Sequence, residues 1–409
     1  MQFKVTAPTS INAVIQLPAS KSISNRALII NALAKGNNTP GNLSDCDDTM
    51  VMIKALTSAG DTIDIMAAGT AMRFLSAYLS VTKGCKIITG TQRMHQRPIE
   101  VLVNALRTLG AEIEYAGKEG FPPLKITGHP LTGGKVSLKG NVSSQYISAL
   151  LMIAPVLKNG LKLTLTGDII SKPYINLTLQ LMKDFGAKAQ WISENEIEVL
   201  PQPYASVPFT VESDWSGASY WYQITALAQE AEVELLGLFA NSYQGDSKVA
   251  RLFESLGVET TFTPAGALLR KSGKCCEKME YDFINEPDLA QTFVVTCSVM
   301  GIPFRFSGLQ SLKIKETDRM AALITELGKL GYALREEENS VLSWNGERKP
   351  VADDQTIKTY EDHRMAMAFA PASLRIPVIR IADPQVVSKS YRYYWDDLSK
   401  AGFTIEQEG

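Results

Sequence analysis

The sequence predicts an α/β protein assembled from repeated units, and three observations carry that reading. A leucine-rich amphipathic helix that closes on glycine and runs into a β-branched strand occurs six times. From the second copy onward the spacing is nearly constant. A proline-rich segment stands close to the middle of the chain.

The six helix stops are Gly60 (IKALTSAGDTI), Gly110 (VNALRTLGAEIEY), Gly186 (LQLMKDFGAKAQW), Gly257 (ARLFESLGVETTF), Gly331 (ITELGKLGYAL) and Gly402 (DDLSKAGFTI), spaced by 50, 76, 71, 74 and 71 residues. Within a unit the order reads helix, glycine stop, two strands, a helix opening on small polar residues, another strand and the next helix. Three such openings are Asn141-Val142-Ser143-Ser144-Gln145-Tyr146, Ser213-Asp214-Trp215-Ser216-Gly217-Ala218 and Asn285-Glu286-Pro287-Asp288-Leu289-Ala290. Ser, Asp and Asn cap helix N-termini, and the free N–H groups there also suit an anion. One unit has too small a core to stand alone, so the six are expected to associate as two clusters of three. The boundary falls after Pro201-Gln202-Pro203-Tyr204-Ala205-Ser206-Val207-Pro208, near Val211-Glu212-Ser213. A first strand from Phe3 to Ile15 has no partner nearby in sequence and is expected to pair with the other domain.

Composition narrows the function. The 409 residues are 45% hydrophobic, ample for sizeable cores, and 41 Lys+Arg against 43 Asp+Glu leave a formal charge of −2. No global field then draws the protein to nucleic acid or a membrane surface, and any cationic site must be local. The N-terminus lacks the apolar core of a signal peptide, and no apolar run is long enough to span a bilayer, so the expected location is the cytoplasm. Five scattered cysteines (Cys46, Cys85, Cys275, Cys276, Cys297) and three histidines (His95, His129, His363) show no metal-ligand spacing. No metal is expected.

Local charge is concentrated where helices open. Ser311-Leu312-Lys313-Ile314-Lys315-Glu316-Thr317-Asp318-Arg319-Met320 carries five ionisable side chains in seven residues at the start of an amphipathic helix. On a helix Lys315 and Arg319 are four apart, and Glu316 and Arg319 three apart. The plain reading is a solvated helix start stitched by charge pairs. The functional one has cations gripping an anionic substrate while the glutamate moves a proton. In Leu17-Pro18-Ala19-Ser20-Lys21-Ser22-Ile23-Ser24-Asn25-Arg26, Lys21 and Arg26 bracket hydroxyls, without the glycines of a nucleotide-binding P-loop. In Ala67-Ala68-Gly69-Thr70-Ala71-Met72-Arg73-Phe74, Gly69 allows close backbone approach, Thr70 is a possible cap and Arg73 lies one turn inside. Arg93 and Arg97 stand in a loop before a helix that Pro98 opens. Ser143, Ser144, Gln145, Ser171 and Tyr174 add neutral donors. In the second half Asp288, Asp362, Arg364 and Lys389 stand at comparable turns. A cap explains either aspartate, but the helix dipole disfavours cations at so many openings, a cost that a bound anion offsets.

Together the segments ASKSISNRAL, AAGTAMR, RMHQRPI, VSSQY, SKPY, KETDRM and YEDHRMAMA, in this order over nearly the whole chain, resemble the 5-enolpyruvylshikimate-3-phosphate (EPSP) synthase family. The resemblance implies an α/β (α+β) fold of two domains, each of three βαβαββ repeats, an inside-out α/β barrel closing about a hinge. Residues 1–14 with 213–409 would form the phosphoenolpyruvate side with the catalytic carboxylates. Residues 15–212 would form the shikimate 3-phosphate side, with hinges near 12–19 and 209–214. The implied reaction moves the enolpyruvyl group of phosphoenolpyruvate to the 5-hydroxyl of 3-phosphoshikimate and releases phosphate, in the pathway to chorismate and aromatic amino acids. By resemblance 3-phosphoshikimate meets Lys21, Ser22, Arg26, Ser143, Ser144, Ser171, Tyr174, Asp288 and Lys315. Phosphoenolpyruvate meets Lys21, Gly69, Arg93, Gln145, Arg319, Arg364 and Lys389. The implied catalytic set is Asp288 as base, Glu316 as acid, and Lys21.

No metal or organic cofactor is implied. The expected partners are the two small-molecule substrates, with no nucleic acid and no membrane, acting on a monomer. Gly69 matches the glyphosate-sensitive pattern. Two positions depart from the family: Ser311 replaces an asparagine of some members, and Phe74 stands where some have proline. The nearest rival is a UDP-N-acetylglucosamine enolpyruvyltransferase, whose active loop usually carries a cysteine that Thr91 to Pro98 lacks and whose Lys-Asn is replaced by Lys21-Ser22. A catalytically silent anion binder is the rival from another class. Asp288 and Glu316 count against it, because carboxylates beside anions hinder binding.

Overall fold

The computed structural model describes every residue except Asn37. The chain divides into two units, Ala19–Glu212 and Met1–Pro18 with Ser213–Gly409. It opens with β1 (Gln2–Thr6) and β2 (Ser10–Gln16). The single strand expected from Phe3 to Ile15 is therefore two, separated at Ala7–Thr9, where Pro8 has no N–H to give a ladder. Because β2 runs to Gln16, the first boundary falls beyond residue 14, between Pro18 and Ala19.

The Ala19–Glu212 unit follows. Its elements are α1 (Lys21–Ala34), α2 (Asp47–Thr57), β3 (Thr62–Asp64), α3 (Gly69–Val81), β4 (Gly84–Thr89), α4 (Glu100–Thr108), β5 (Glu112–Tyr115), β6 (Leu124–Gly128), β7 (Gly134–Lys139), α5 (Ser144–Ile153), β8 (Leu161–Thr166), α6 (Lys172–Asp184), β9 (Ala189–Trp191) and β10 (Glu196–Val199). They form two four-stranded sheets, ordered β3-β4-β6-β5 and β7-β8-β10-β9. In each, the first two strands run parallel around a helix, and the other two form an antiparallel hairpin.

The other unit continues with α7 (Trp215–Leu227), β11 (Glu230–Leu236), α8 (Val249–Glu254), β12 (Val258–Phe262), β13 (Gly266–Lys271), β14 (Met279–Asp282), α9 (Ala290–Met300), β15 (Phe304–Ser307), α10 (Arg319–Lys329), β16 (Arg335–Glu337), β17 (Val341–Trp344), β18 (Thr356–Ile357), α11 (His363–Phe369), β19 (Ile379–Ala382), α12 (Tyr394–Lys400) and β20 (Thr404–Glu408). Its sheets are β12-β13-β11-β2, β14-β15-β17-β16 and β18-β19-β1-β20. The N-terminal strands complete it at both ends of its sequence. β2 pairs in parallel with β11, and β1 lies between β19 and β20, antiparallel to both.

Each full repeat therefore reads βαβαββ, with a third strand before the helix that the sequence pattern had not separated from the loops. The first helix of each repeat is central. In one unit α7 is buried except for Ser216, and α9 except for Val299 and Met300, while α11 is buried throughout. In the other, α3 and α5 are nearly as enclosed. Strands such as β2 alternate buried and exposed residues, so the sheets wrap the helices with one face to solvent. Each unit has its own continuous apolar core. Among the described residues no helix is long and apolar enough to cross a membrane.

Five of the six glycine stops lie in the left-handed region: Gly110, Gly186, Gly257, Gly331 and Gly402 have φ between 81° and 104°. Gly60 does not. After α2 the chain passes directly to β3 with no hairpin, and in place of a strand pair the first repeat has, among the described residues, isolated bridge residues, Gly41 in parallel with Thr210 and another at Ala19. A β-carbon at Gly331 would sit 3.0 Å from the Lys349 carbonyl, whereas one at Gly60 meets only ordinary contacts beyond 3.5 Å. Gly331→Ala is expected to lower stability by about 1–2 kcal/mol, while Gly60→Ala stays within about 0.5 kcal/mol of wild type. Urea denaturation midpoints check this, and equal shifts would refute it.

Candidate active site

In the Ala19–Glu212 unit the predicted residues gather at helix openings. Ser20 caps α1, its hydroxyl accepting from the Ile23 amide at 3.4 Å. Lys21 follows, its ammonium 3.5 Å from buried Asp48 in the first turn of α2. Arg26 is itself buried and donates to Thr178 Oγ1 (2.7 Å), the Ser22 carbonyl (2.8 Å) and Ser148 Oγ (3.1 Å). Its guanidinium stands 5.2 Å from the Phe74 ring centroid, so the residue that replaces proline supplies an aromatic face for a cation. Burial lowers the Arg26 pKa to about 10, against an opposing pull from Tyr174 on α6.

Gly69 is the first residue of α3, and a β-carbon there would overlap the Arg97 guanidinium. Ala68 occupies the N-cap, so Thr70 is not a cap; its hydroxyl instead accepts from Gln145 Nε2 at 3.2 Å, joining the openings of α3 and α5. Arg73 is committed to the Gly69 and Pro98 carbonyls at 3.1 and 3.2 Å. Ser143 caps α5, with Ser144 and Gln145 in its first turn. Ser171 precedes α6 with φ 54° and makes no side-chain cap. Arg93 is exposed and donates to Gln96 at 3.4 Å.

In the other unit the charges converge more tightly. Asp318 caps α10 through the Ala321 amide at 3.1 Å, so the helix starts at Arg319. Lys315 and Glu316 thus lie in the segment before the helix, after a 3-10 turn Gln310–Ile314, and not one turn apart on its face. The capping preference of aspartate outweighs the periodicity of the charges. Asp288 does not cap α9 either; it sits in the 3-10 turn Pro287–Leu289 with its carboxylate among cations.

Arg319, 1% exposed, is the centre. It donates to Asp362 (2.6 Å), to Glu316 (3.0 Å) and to Asp288 (3.1 Å). Asp288 also meets Arg364 at 3.0 Å and Lys315 at 3.4 Å, and Lys389 stands 3.4 Å from Glu316. Asp362, fully buried, caps α11 through the Arg364 amide at 2.9 Å, and Arg364 donates to Tyr220 at 3.2 Å. Lys315, Arg319, Arg364, Lys389, Asp288 and Glu316, drawn from two successive repeats, are therefore one network.

The network biases its own protonation. Burial alone would raise the Asp288 pKa, but Arg364, Lys315 and Arg319 together hold it well below the usual carboxylate range. Arg319 is desolvated, yet Asp362, Glu316 and Asp288 push its pKa above the usual arginine value.

Sequence reading missed Asp246, Asp48 and Tyr220. Asp246 is buried, accepts from Ser216 in the first turn of α7, and is raised to about 7, first by burial and then by Asp288, with Ser216 and Arg364 opposing. Asp48 and Asp246 each lie near the opening of the second helix in the leading repeat of their unit and engage a first-turn residue or neighbour of the first helix. Superposing the repeats on one another was the signal available. Among the described residues no group of three or more His, Cys, Asp or Glu is arranged to hold a metal ion.

A family model described as EPSP synthase (3-phosphoshikimate 1-carboxyvinyltransferase) matches residues 5–65 and 57–398. The chain belongs to the EPSP synthase family. It is 66% identical over 406 residues to the 3-phosphoshikimate 1-carboxyvinyltransferase of Bacteroides fragilis, covering 99% of both chains. To the corresponding protein of Vibrio atlanticus it is 37% identical, with 95% of this chain and 96% of the other aligned. Among solved structures, EPSP synthase from Acinetobacter baumannii superposes with a TM-score of 0.79 at 21% identity over 99% of this chain and 100% of that one. The enolpyruvyl transferase NikO from Streptomyces tendae does so with 0.73 at 14% identity, over 99% and 98%. These two share the fold, in agreement with the two-domain α/β reading.

Asp246 yields a pH test. Its folded pKa of about 7 exceeds the unfolded value near 3.9, so the folded state binds the proton more tightly. The resulting stabilisation is complete below about pH 4 and is lost as pH rises toward about 7. Asp246→Asn mimics the neutral form without titrating, so its stability relative to wild type should grow over that window by up to about 1.4 kcal/mol per pH unit and then level. Denaturation at about pH 5, 6, 7 and 8 checks it; a constant difference would count against a raised pKa.

Proposed function

We propose that this EPSP synthase family member transfers the enolpyruvyl group of phosphoenolpyruvate to the 5-hydroxyl of 3-phosphoshikimate, releasing phosphate. Family membership and the 66% identical relative support the reaction. One observation carries the residue roles: two carboxylates, Asp288 and Glu316, are interleaved with four cations, Lys315, Arg319, Arg364 and Lys389. A site built only to hold anions gains nothing from such carboxylates. A site that must also move protons needs them.

The cations account for substrate charge. Phosphoenolpyruvate is assigned to Arg319, Arg364 and Lys389 in one unit, and to Lys21, Gly69, Arg93 and Gln145 in the other. 3-Phosphoshikimate is assigned to Lys21, Ser22, Arg26, Ser143, Ser144, Ser171 and Tyr174 in one unit, and to Asp288 and Lys315 in the other. The same cations now neutralise Asp288 and Glu316. When substrate carboxylate and phosphate engage them, each catalytic carboxylate loses part of its counter-charge and its affinity for a proton rises.

That shift is what the reaction requires. Asp288 takes the proton of the 5-hydroxyl as its oxygen bonds to C2 of phosphoenolpyruvate, while Glu316 gives a proton to the C3 methylene, making it a methyl group. The tetrahedral adduct then collapses. Glu316 recovers a proton from the methyl group, the double bond re-forms, and the C2–O bond to phosphate breaks, with the Asp288 proton leaving on phosphate. Lys21, Arg319, Arg364 and Lys389 stabilise the anionic groups in place. Each step is a proton transfer or a C–O bond change within the two substrates, so the reading includes no metal or organic cofactor. It also takes the enzyme to be a cytoplasmic monomer.

Purified protein mixed with phosphoenolpyruvate and 3-phosphoshikimate should release phosphate. No release beside an active control enzyme would overturn the reading, and release only with UDP-N-acetylglucosamine would transfer the chain to that related activity. Glu316→Gln is expected to lose about 10²–10⁴-fold in turnover while retaining 3-phosphoshikimate affinity by calorimetry; near-normal turnover would remove its assigned role.

A further inference from the structure

Glu326 has no place in the chemistry, yet it is fully buried and ionically paired. It lies on α10 seven residues beyond Arg319, two helical turns along the same face. Both of its carboxylate oxygens are engaged. Oε2 accepts from Lys329 Nζ at 2.6 Å and from the Lys358 backbone amide at 3.0 Å, and Oε1 accepts from the Tyr360 hydroxyl at 2.5 Å. Lys329 donates a second bond to the Thr356 carbonyl at 2.8 Å.

The segment held in this way leads directly to the catalytic network. Tyr360 and Glu361 are consecutive left-handed residues, φ 54° and 57°, a conformation that side chains other than glycine rarely adopt. They turn the chain so that Asp362 both caps α11 and faces Arg319, with Arg364 two residues on. Such a turn persists only when its surroundings hold it. One end is fixed to the start of α10 by the Arg319–Asp362 pair and the other to its last turn by Glu326.

We infer that Glu326 is a positioning residue for phosphoenolpyruvate, setting the placement of Asp362 and Arg364 through the Lys358 amide and the Tyr360 hydroxyl. The inference rests on the proposed reaction and assigns it a residue remote from the reacting atoms. A carboxylate accepts both bonds and carries the charge that pairs with Lys329, whereas the amide of Gln is neutral and keeps the Tyr360 contact only by reversing it, its NH2 donating to the phenol oxygen. Because Arg364 and Arg319 are the cations assigned to phosphoenolpyruvate, the loss should fall on that substrate.

Phosphate release by wild type, Glu326→Gln, Tyr360→Phe, Arg364→Ala and the Glu326→Gln/Arg364→Ala double variant tests this, with both substrates varied. Glu326→Gln should lower kcat/KM for phosphoenolpyruvate by about ten- to a hundredfold and leave KM for 3-phosphoshikimate within about twofold. Tyr360→Phe should shift it the same way by less. In the Arg364→Ala background Glu326→Gln should cost clearly less than it does alone, because one of the two groups it positions is gone. Equal effects on both substrates, full additivity in the double variant, or an unchanged kcat/KM would overturn the assignment. If Glu326→Gln does not fold, Tyr360→Phe, at a partly exposed site, decides: a phosphoenolpyruvate-selective loss supports the role and unaltered kinetics remove it. A wild type that releases no phosphate would remove the reaction, and this assignment with it.

Discussion

The arrangement in the Ser213–Gly409 part of the chain depends on one buried guanidinium. Arg319 is removed from water and surrounded by Asp362, Glu316 and Asp288, each within 3.1 Å. Taking a charge into a protein interior costs several kcal/mol unless it is paired and its donors are used. Here every partner comes from a different local structure: the cap of α11, the segment before α10, and the turn before α9. Satisfying Arg319 therefore fixes the three relative to one another. With Lys315, Arg364 and Lys389, the cluster has four cations to three carboxylates and is nearly neutral in itself. In the proposed reaction, anionic substrates exchange partners with groups already ordered, in place of meeting bare charge.

The fold makes that convergence possible by turning the usual layering around. Central helices such as α9 and α11 are enclosed on all sides, and the sheets wrap them with one face to water. Polar chemistry is pushed to the helix ends, where amides and caps are available. Side chains from successive repeats meet at those ends, as Asp288 and Arg364 do in one unit and Thr70 and Gln145 in the other.

Much of this was legible because its causes are local. A helix that must reverse into an antiparallel strand needs a left-handed residue; Gly110, Gly186, Gly257 and Gly331 announced four hairpins correctly, and Gly402 the turn into β20, whose antiparallel partner is β1. Gly60 shares the composition without the geometry, because no hairpin follows it. Short strands such as β7 and β14 look like loops when they stand alone and become strands by pairing. The network residues were legible as an unusual excess of cations at helix openings. Asp246 and Glu326 were not, since a lone acid in an amphipathic pattern looks solvated, and only tertiary burial makes it otherwise. Periodicity also misplaced Lys315 and Glu316 on a helix whose start Asp318 sets.

The position of β1 has a consequence for how the chain is made. Gln2–Thr6 precedes the whole Ala19–Glu212 unit in the chain, yet its two hydrogen-bonding neighbours, Ile379–Ala382 and Thr404–Glu408, follow that unit. The Ala19–Glu212 unit, with its own core, has every residue it needs once Glu212 has left the ribosome. Meanwhile β1 waits with open edges until β19 and β20 have been made. Domains generally fold as units during synthesis, and unpaired strand edges are hazards in that interval. Lys4 and the short length of β1 are suited to keeping that waiting strand from pairing elsewhere, and its late insertion closes the sheet β18-β19-β1-β20.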